Sequence, residues 1–322
     1  MVDVYYGKTL GKEFLEKLKA HLQGRFKGCK TIAIKLHFGE PGNDTAFTPE
    51  QVKPIVDVVK ALGFEYFLYD SSVLYPSPRN NPKTHKKVAL DKGWGALGDI
   101  QTDDAFVTVK GRHFDFEVCK PLVDADGVLV LTHVKGHVCS GFGGAIKNLG
   151  MGALSPVTKG LIHEGGKPEI VGDCVLCGAC VKACPINGIE LQSEPQFVQC
   201  FGCSNCVIAC PHNVLDVKVN TFDSLLSEGA ATAQRTFKKD MYVSCMINIS
   251  AKCDCVGHGT KIISDDKGYL FSDDGVAIDK AAMDLIREDV FLKVNKKTGI
   301  AQIEAAENFG MGKKEYTLVK IG

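Results

Sequence analysis

Residues 174–185 read Cys-x-x-Cys-x-x-Cys-x-x-x-Cys-Pro, and residues 200–211 repeat the pattern with a period of 26. Three thiolates on one tight loop can hold three corners of a [4Fe-4S] cube. The fourth, carried off on the following turn, is placed for the neighbouring cube. The spacing therefore assigns Cys174, Cys177, Cys180 and Cys210 to one cluster and Cys200, Cys203, Cys206 and Cys184 to the other. Pro185 and Pro211 stop any continuing helix after the shared ligand. Gly178 and Gly202 let backbone N–H groups approach sulfur. Zinc knuckles use paired cysteines, and a disulfide framework has no reason to repeat this spacing.

Eight of the fourteen cysteines lie in this block. Thiols clustered at short spacing indicate metal or redox work in a reducing compartment, so a cytoplasmic location is expected. Over roughly 168–220 the segment resembles the bacterial two-cluster ferredoxins at all eight ligand positions, which implies one-electron transfer between two adjacent clusters. The 38 basic and 38 acidic side chains balance, with no basic stripe or polybasic tail, so neither nucleic acid nor an acidic membrane surface is an expected partner. The longest apolar run, around Gly127–Thr132, falls far short of the roughly 18–20 residues of a membrane helix. The opening Met1-Val2-Asp3-Val4-Tyr5-Tyr6-Gly7 lacks the basic and apolar regions of a signal peptide.

Around the cysteine block the pattern is α/β. Residues 30–39 read as a β-branched strand running into a glycine-rich loop. Pro49 opens a helix whose Val52, Ile55, Val56, Val59 and Leu62 share a face, and Gly63 closes it. Phe64–Tyr69 is a second strand, so the unit is βαβ with a parallel pair. A helix over 83–92, short strands within 105–118, a strong strand at 126–134, a helix at 221–237, a strand at 241–247 and a helix at 277–287 follow. The expected fold is α/β, a mostly parallel sheet with helices on both faces. Residues 1–167 plus 221–322 form a discontinuous domain, and 168–220 an inserted two-cluster ferredoxin-type α+β module. Two consecutive α/β domains are the other organisation this pattern allows.

In a parallel sheet, ligands gather outside the carboxyl ends of the strands. Lys35, His37 and Glu40 leave the first strand there, Asp70 the second, and His133, Lys135, His137 and Cys139 the strong strand. Cys253, Cys255 and His258 follow the strand at 241–247. Imidazole and thiolate together suit zinc, iron or a further iron–sulfur centre. Cys253 and Cys255 lead as ligands, with His133, His137, Cys139 and His258 competing as partners; a metal-free pocket is the alternative. Lys35, His37, Glu40, Asp70 and Lys135 are the catalytic candidates. Gly141, Gly143 and Gly144 could open a helix N-terminus to an anion, with Lys147 adding charge. Asp265-Asp266 and Asp273-Asp274 read as solvated or capping residues, and Cys29, Cys119 and Cys245 as small buried hydrophobes.

Several motifs belong together: Lys35-Leu36-His37-Phe38-Gly39-Glu40-Pro41-Gly42-Asn43, Asp70-Ser71-Ser72-Val73-Leu74-Tyr75 with Arg79, Gly141–Gly152, Cys253-Asp254-Cys255, and Phe271-Ser272-Asp273-Asp274-Gly275-Val276 onward. With them the chain resembles, over roughly 1–290, a prokaryotic family of iron–sulfur proteins known as a domain of unknown function carrying a ferredoxin module. Gly275 stands where that family's motif leads one to expect proline. The resemblance marks site residues and names no substrate. Three functions fit: an iron–sulfur protein feeding electrons to a redox or cofactor site at the strand ends, as in a ferredoxin-linked oxidoreductase; an electron carrier or subunit without chemistry of its own; or a carrier of metal or clusters. The partner in each is a redox protein or a small-molecule electron donor or acceptor. The sequence leaves the oligomeric state open.

Overall fold

Buried, β-branched runs build the centre of the molecule, described here over residues 1–322 from a computed structural model. Strands Val2–Gly7 (β1), Thr31–Lys35 (β2), Glu65–Tyr69 (β3), Asp99–Gln101 (β4), Gly127–His133 (β5), Asp240–Met246 (β6), Gly268–Ser272 (β7) and Tyr316–Lys320 (β8) form one sheet. Their order is β8-β1-β7-β6-β5-β2-β3-β4. Only β7 runs against its neighbours, pairing antiparallel with both β1 and β6; every other pairing is parallel. Strands before and after the cysteine block thus share this sheet, β5 lying directly beside β6.

Every residue of β5 and β6 is buried. Val128 and Val130 face one layer of helices and Leu129 and Leu131 the other. A strand covered on both faces must be apolar on both, which is why Gly127–His133 reads as a continuous run. On one side lie Lys12–Arg25 (α1) and Pro49–Ala61 (α2), buried through Phe14, Leu18, Leu22, Val52, Ile55 and Val59. Thr48 and Gln51 close a capping box before α2, with Pro49 at its first turn. Pro82–Asp91 (α3) follows β3. The opposite layer holds Ala145–Gly152 (α4), Phe222–Gln234 (α6) and Gly275–Ile286 (α7), while Pro156–Gly165 (α5) packs against α6. A Cβ on Gly150 would stand 2.4 Å from the Leu226 carbonyl oxygen, so glycine is what lets α4 and α6 meet. Asp274 accepts from the N–H groups of Val276 and Ala277 and caps α7, and Asp266 accepts from Asn248 N–H. No helix is long and apolar enough to cross a membrane.

Residues 168–220 form no part of the large sheet. Pro168–Ile170 pairs with Leu215–Val217 and Ile189–Leu191 with Pro195–Phe197, all antiparallel, around short helices at Ala179–Ala183 and Asn205–Ile208. The duplication extends to the backbone. Left-handed residues stand at Leu176, Gly178 and Asn187, and again, 26 positions on, at Gly202, Ser204 and Asn213.

Candidate functional site

All fourteen cysteines are free thiols. Cys174, Cys177, Cys180 and Cys210 line one small hollow; Cys184, Cys200, Cys203 and Cys206 line another, which Cys139 also borders. The left-handed turns aim N–H groups at sulfur: Leu176 to Cys174 at 3.4 Å, Gly202 to Cys200 at 3.3 Å and Gly188 to Cys184 at 3.2 Å. Against a burial penalty, N–H groups of Val214, His212, Leu215 and Asn213 hold the Cys210 thiol below its ordinary value. Fixed donors of this kind stabilise a thiolate ligand. Lys297 fastens the second hollow to the rest of the chain: its Nζ donates to the carbonyls of Cys139 (3.0 Å) and Cys203 (2.9 Å) and pairs with Asp223 at 2.5 Å.

The carboxyl ends of β2, β3, β5 and β6 open into a cavity of about 580 Å³. Lys35, His37, Asp70, Lys135, His137, Lys147, Cys253 and Cys255 line it, and so do Cys200 and Phe201 of the second cysteine motif. One ring nitrogen of His137 and the sulfurs of Cys253 and Cys255 lie within 4.8 Å of one another. His137 Nδ1 accepts N–H groups of Cys139 and Ser140, each at 3.2 Å, which leaves Nε2 for the two sulfurs. Burial lowers His137 to about 4, so the ring is neutral. The Cys255 S–H holds Cys253 well below the ordinary thiol range, while Cys255 itself is pushed up, so the pair keeps one proton between them. Two thiol sulfurs and an imidazole fit zinc or iron. Nδ1 also lies 3.1 Å from Ser140 Oγ, which accepts from it in the other tautomer, so ligation at Nε2 takes the neutral ring with its proton on Nδ1; the proton expelled is the one the two thiols share, and binding grows tighter as pH rises.

The other proposed ligands do not join this group. His133 is spent: Nδ1 meets Asp254 at 2.9 Å and Nε2 the Ile247 carbonyl at 2.8 Å, leaving no lone pair for a metal. His258 packs over Gly42, outside the cavity lining. Cys139 turns its sulfur toward the Phe201 carbonyl, and burial raises its thiol far above the ordinary value. Nor do the amides that open α4 face an empty cradle. The N–H groups of Ala145 and Ile146 donate to Asp279 at 2.6 and 2.9 Å, so the chain's own carboxylate occupies that place. Gly141 lies against the Lys297 carbonyl, and only Gly143, Gly144 and Lys147 of that group reach the cavity. Asp279→Ala strands two buried N–H groups and is expected to cost roughly 2–3 kcal/mol. Asp279→Asn, keeping one acceptor, should cost about half of that; denaturant midpoints of the loaded protein read both.

Lys35 donates to the Leu36 carbonyl, Asp70 and Asn148, at 2.7–3.1 Å, and has no donor left for a substrate. A side chain on Gly152 would meet that ammonium at 2.4 Å. Asp70 also accepts from Ser71 N–H and from Arg79. Against the cost of burial, Lys35 and His85 hold it well below the usual carboxylate range. Arg79, fully buried, binds Glu40 at 3.0 Å, Tyr75 at 2.6 Å and the His37 ring at 3.2 Å. Burial and Arg79 lower His37 to about 3, so it is neutral. Glu40 is thus the clamp that fixes Arg79 and lies outside the cavity lining. Lys135 pairs with Asp254 at 2.8 Å.

Sequence reasoning missed Lys159 and His163, both on the cavity wall. They stand four apart on α5, behind the Ser155 cap and Pro156, and that spacing was the available signal. Lys159 donates to Ser71 Oγ at 2.7 Å and to the Ser72 carbonyl, and burial lowers its ammonium to about 8.

A family profile described as domain of unknown function (DUF362) matches residues 32–284. The chain belongs to this family. The matched span takes in β2 through β7, the cysteine block and the motif at Cys253–Cys255, so every residue of the DUF362 cavity named above falls inside it. No curated protein matches the sequence. Among solved structures, a Thermotoga maritima protein from a structural genomics consortium aligns over 92% of this chain and 59% of its own, at 9% identity and a TM-score of 0.44. The lactate racemase apoprotein of Thermoanaerobacterium thermosaccharolyticum aligns over 77% of this chain and 51% of its own, at 12% identity and a TM-score of 0.40. The chain therefore spans little more than half the length of either.

Proposed function

We propose that this DUF362 chain is an iron–sulfur electron-transfer protein in which residues 168–220, an inserted two-cluster module, pass electrons to a metal or cofactor site in the cavity of the α/β domain formed by 1–167 and 221–322. One observation carries the reading: Cys200 and Phe201, from the second cysteine motif, share a cavity wall with His137, Cys253 and Cys255. The four-and-four grouping of the other cysteines, with N–H groups turned onto sulfur, supports two [4Fe-4S] clusters. Such clusters supply one electron each. The chain's residues do the rest: the thiols and His137 hold the inner metal, and Lys297 keeps the second hollow against the strand end. Arg79, Glu40 and Asp70 fix the opposite wall.

The far edge, where Cys177 and Val175 are exposed, is where an external redox protein or small electron donor is taken to act, in a reducing compartment. A buried ionic wall is costly to maintain and serves no purpose in a mere docking body, which favours chemistry at the cavity over a plain carrier.

Anaerobically purified protein should contain about eight iron and eight sulfide per chain, the content of two [4Fe-4S] clusters. One further zinc or iron should vanish in Cys253→Ala/Cys255→Ala while the eight remain. Absence of sulfide would end the cluster assignment, and an unchanged metal count in the double variant would end the inner site.

A further inference from the structure

Six cations line the cavity: Lys35, Arg79, Lys135, Lys147, Lys159 and Lys167. Four carboxylates answer them. Asp70 takes Lys35 and Arg79, Glu40 takes Arg79, Asp254 takes Lys135, and Glu164 takes Lys167. Two cations are left without a carboxylate. Lys159, only 8% exposed, bonds to neutral oxygens alone. Lys147 makes no hydrogen bond and no ion pair, and its charge acts on Cys253, Cys255, His137 and His163. A buried cation without a counter-charge is costly, and a cavity with an excess of one sign concentrates ligands of the other. Without metal the Cys253–Cys255 pair, with one proton between two sulfurs, answers Lys147; a divalent metal on two thiolates is neutral as a unit and leaves Lys147 unanswered.

The volume, about 580 Å³, falls within the range of small-molecule sites, and Leu74, Val138, Met151 and Phe201 add an apolar floor. The two free ammonium groups come from consecutive helices, α4 and α5, and stand toward different ends. Lys147 is on the thiol side; Lys159 is beside Ser71 and Ser72.

We propose that the cavity binds a small organic dicarboxylate, with one carboxylate at Lys147 beside Cys253 and Cys255 and the other at Lys159. This names the substrate class of the site described above, and it rests on that reading only for the word substrate; the binding itself needs only the two lysines.

The test is thermal shift and calorimetry on the full-length, anaerobically prepared protein with succinate and the neutral succinamide. Succinate should raise Tm and bind at millimolar concentration or tighter, with succinamide silent. Lys147→Met and Lys159→Met should each weaken binding at least tenfold. Lys147 has no partner to orphan, so its variant keeps the fold even if the Lys159 variant does not. Binding of succinamide as well as succinate, silence of succinate, or succinate affinity unchanged in Lys147→Met overturns the proposal. Iron and sulfide counted on the same samples separate the two readings. Eight iron without dianion binding sinks this inference alone, and Lys147-dependent binding in protein that never holds sulfide sinks only the electron-transfer role.

Discussion

Anaerobic removal of iron by a chelator will unfold residues 168–220 and leave the eight-stranded sheet folded. The apolar core of that segment consists of five buried residues, and three of them, Cys180, Cys184 and Cys206, are cluster ligands in the proposed assignment. Ile189 and Leu215 alone cannot offset the conformational entropy of the segment, which is on the order of 1–2 kcal/mol per residue. The sheet, by contrast, rests on two separate cores of 42 and 27 buried residues. Limited proteolysis and hydrogen exchange should show cuts and rapid exchange confined to the segment, with β5 and β6 still protected. A metal-free protein whose cysteine segment resists protease would contradict the prediction, because the core would then suffice without the clusters. Binding that creates a fold is folding free energy, so iron content and protection of the segment should fall together.

Much of this organisation is written in local pattern. The capped helix at 49–61, the doubly apolar strands and the 26-residue repeat all state themselves within a few neighbouring residues, because periodicity and caps are local signals. The candidate site is different. The sequence brings Cys253, Cys255 and His137 to one rim, but it cannot say that Asp254 and the Ile247 carbonyl have already taken both nitrogens of His133. Nor can it say that Asp279, more than a hundred residues away, fills the amides before α4. Those facts depend on partners distant in the chain, and no spacing rule reaches them. Lys159 escaped for a related reason: a lysine on an amphipathic helix reads as solvated until the opposite wall is in place.

Arg79→Ala will be the most damaging single substitution on the cavity wall. It removes the guanidinium that pairs with Glu40 and Asp70 and bonds to Tyr75, and leaves two buried carboxylates, Asp70 answered by Lys35 and Glu40 only by the hydroxyls of Tyr75 and Ser77. Breaking a buried pair from one side costs about 3–5 kcal/mol. Arg79→Lys should recover little of it, since a point charge cannot serve Glu40, Tyr75 and Asp70 together. The pH dependence follows from the carboxylates. Asp70 is held low in the folded protein, so the stability it contributes is present above its ordinary titration range and lost as pH falls through its folded value. Without Arg79 that depression weakens, and proton uptake neutralises the unpaired charge. The gap between wild type and variant should therefore narrow as pH falls through about 4. Denaturant midpoints between neutral and mildly acidic pH measure it; a constant gap would mean that the loss is one of packing.

The order of strands in the sheet also dictates an order of events during synthesis. Val2–Gly7 leaves the ribosome long before its two neighbours in the sheet, Gly268–Ser272 and Tyr316–Lys320. Likewise, Gly127–His133 must wait for Asp240–Met246 while the whole cysteine segment is made between them. Long waits of this kind slow folding and leave strand edges open. The nascent chain thus carries bare edges through the interval in which its cysteine segment is made, and a holding chaperone at that stage would protect both.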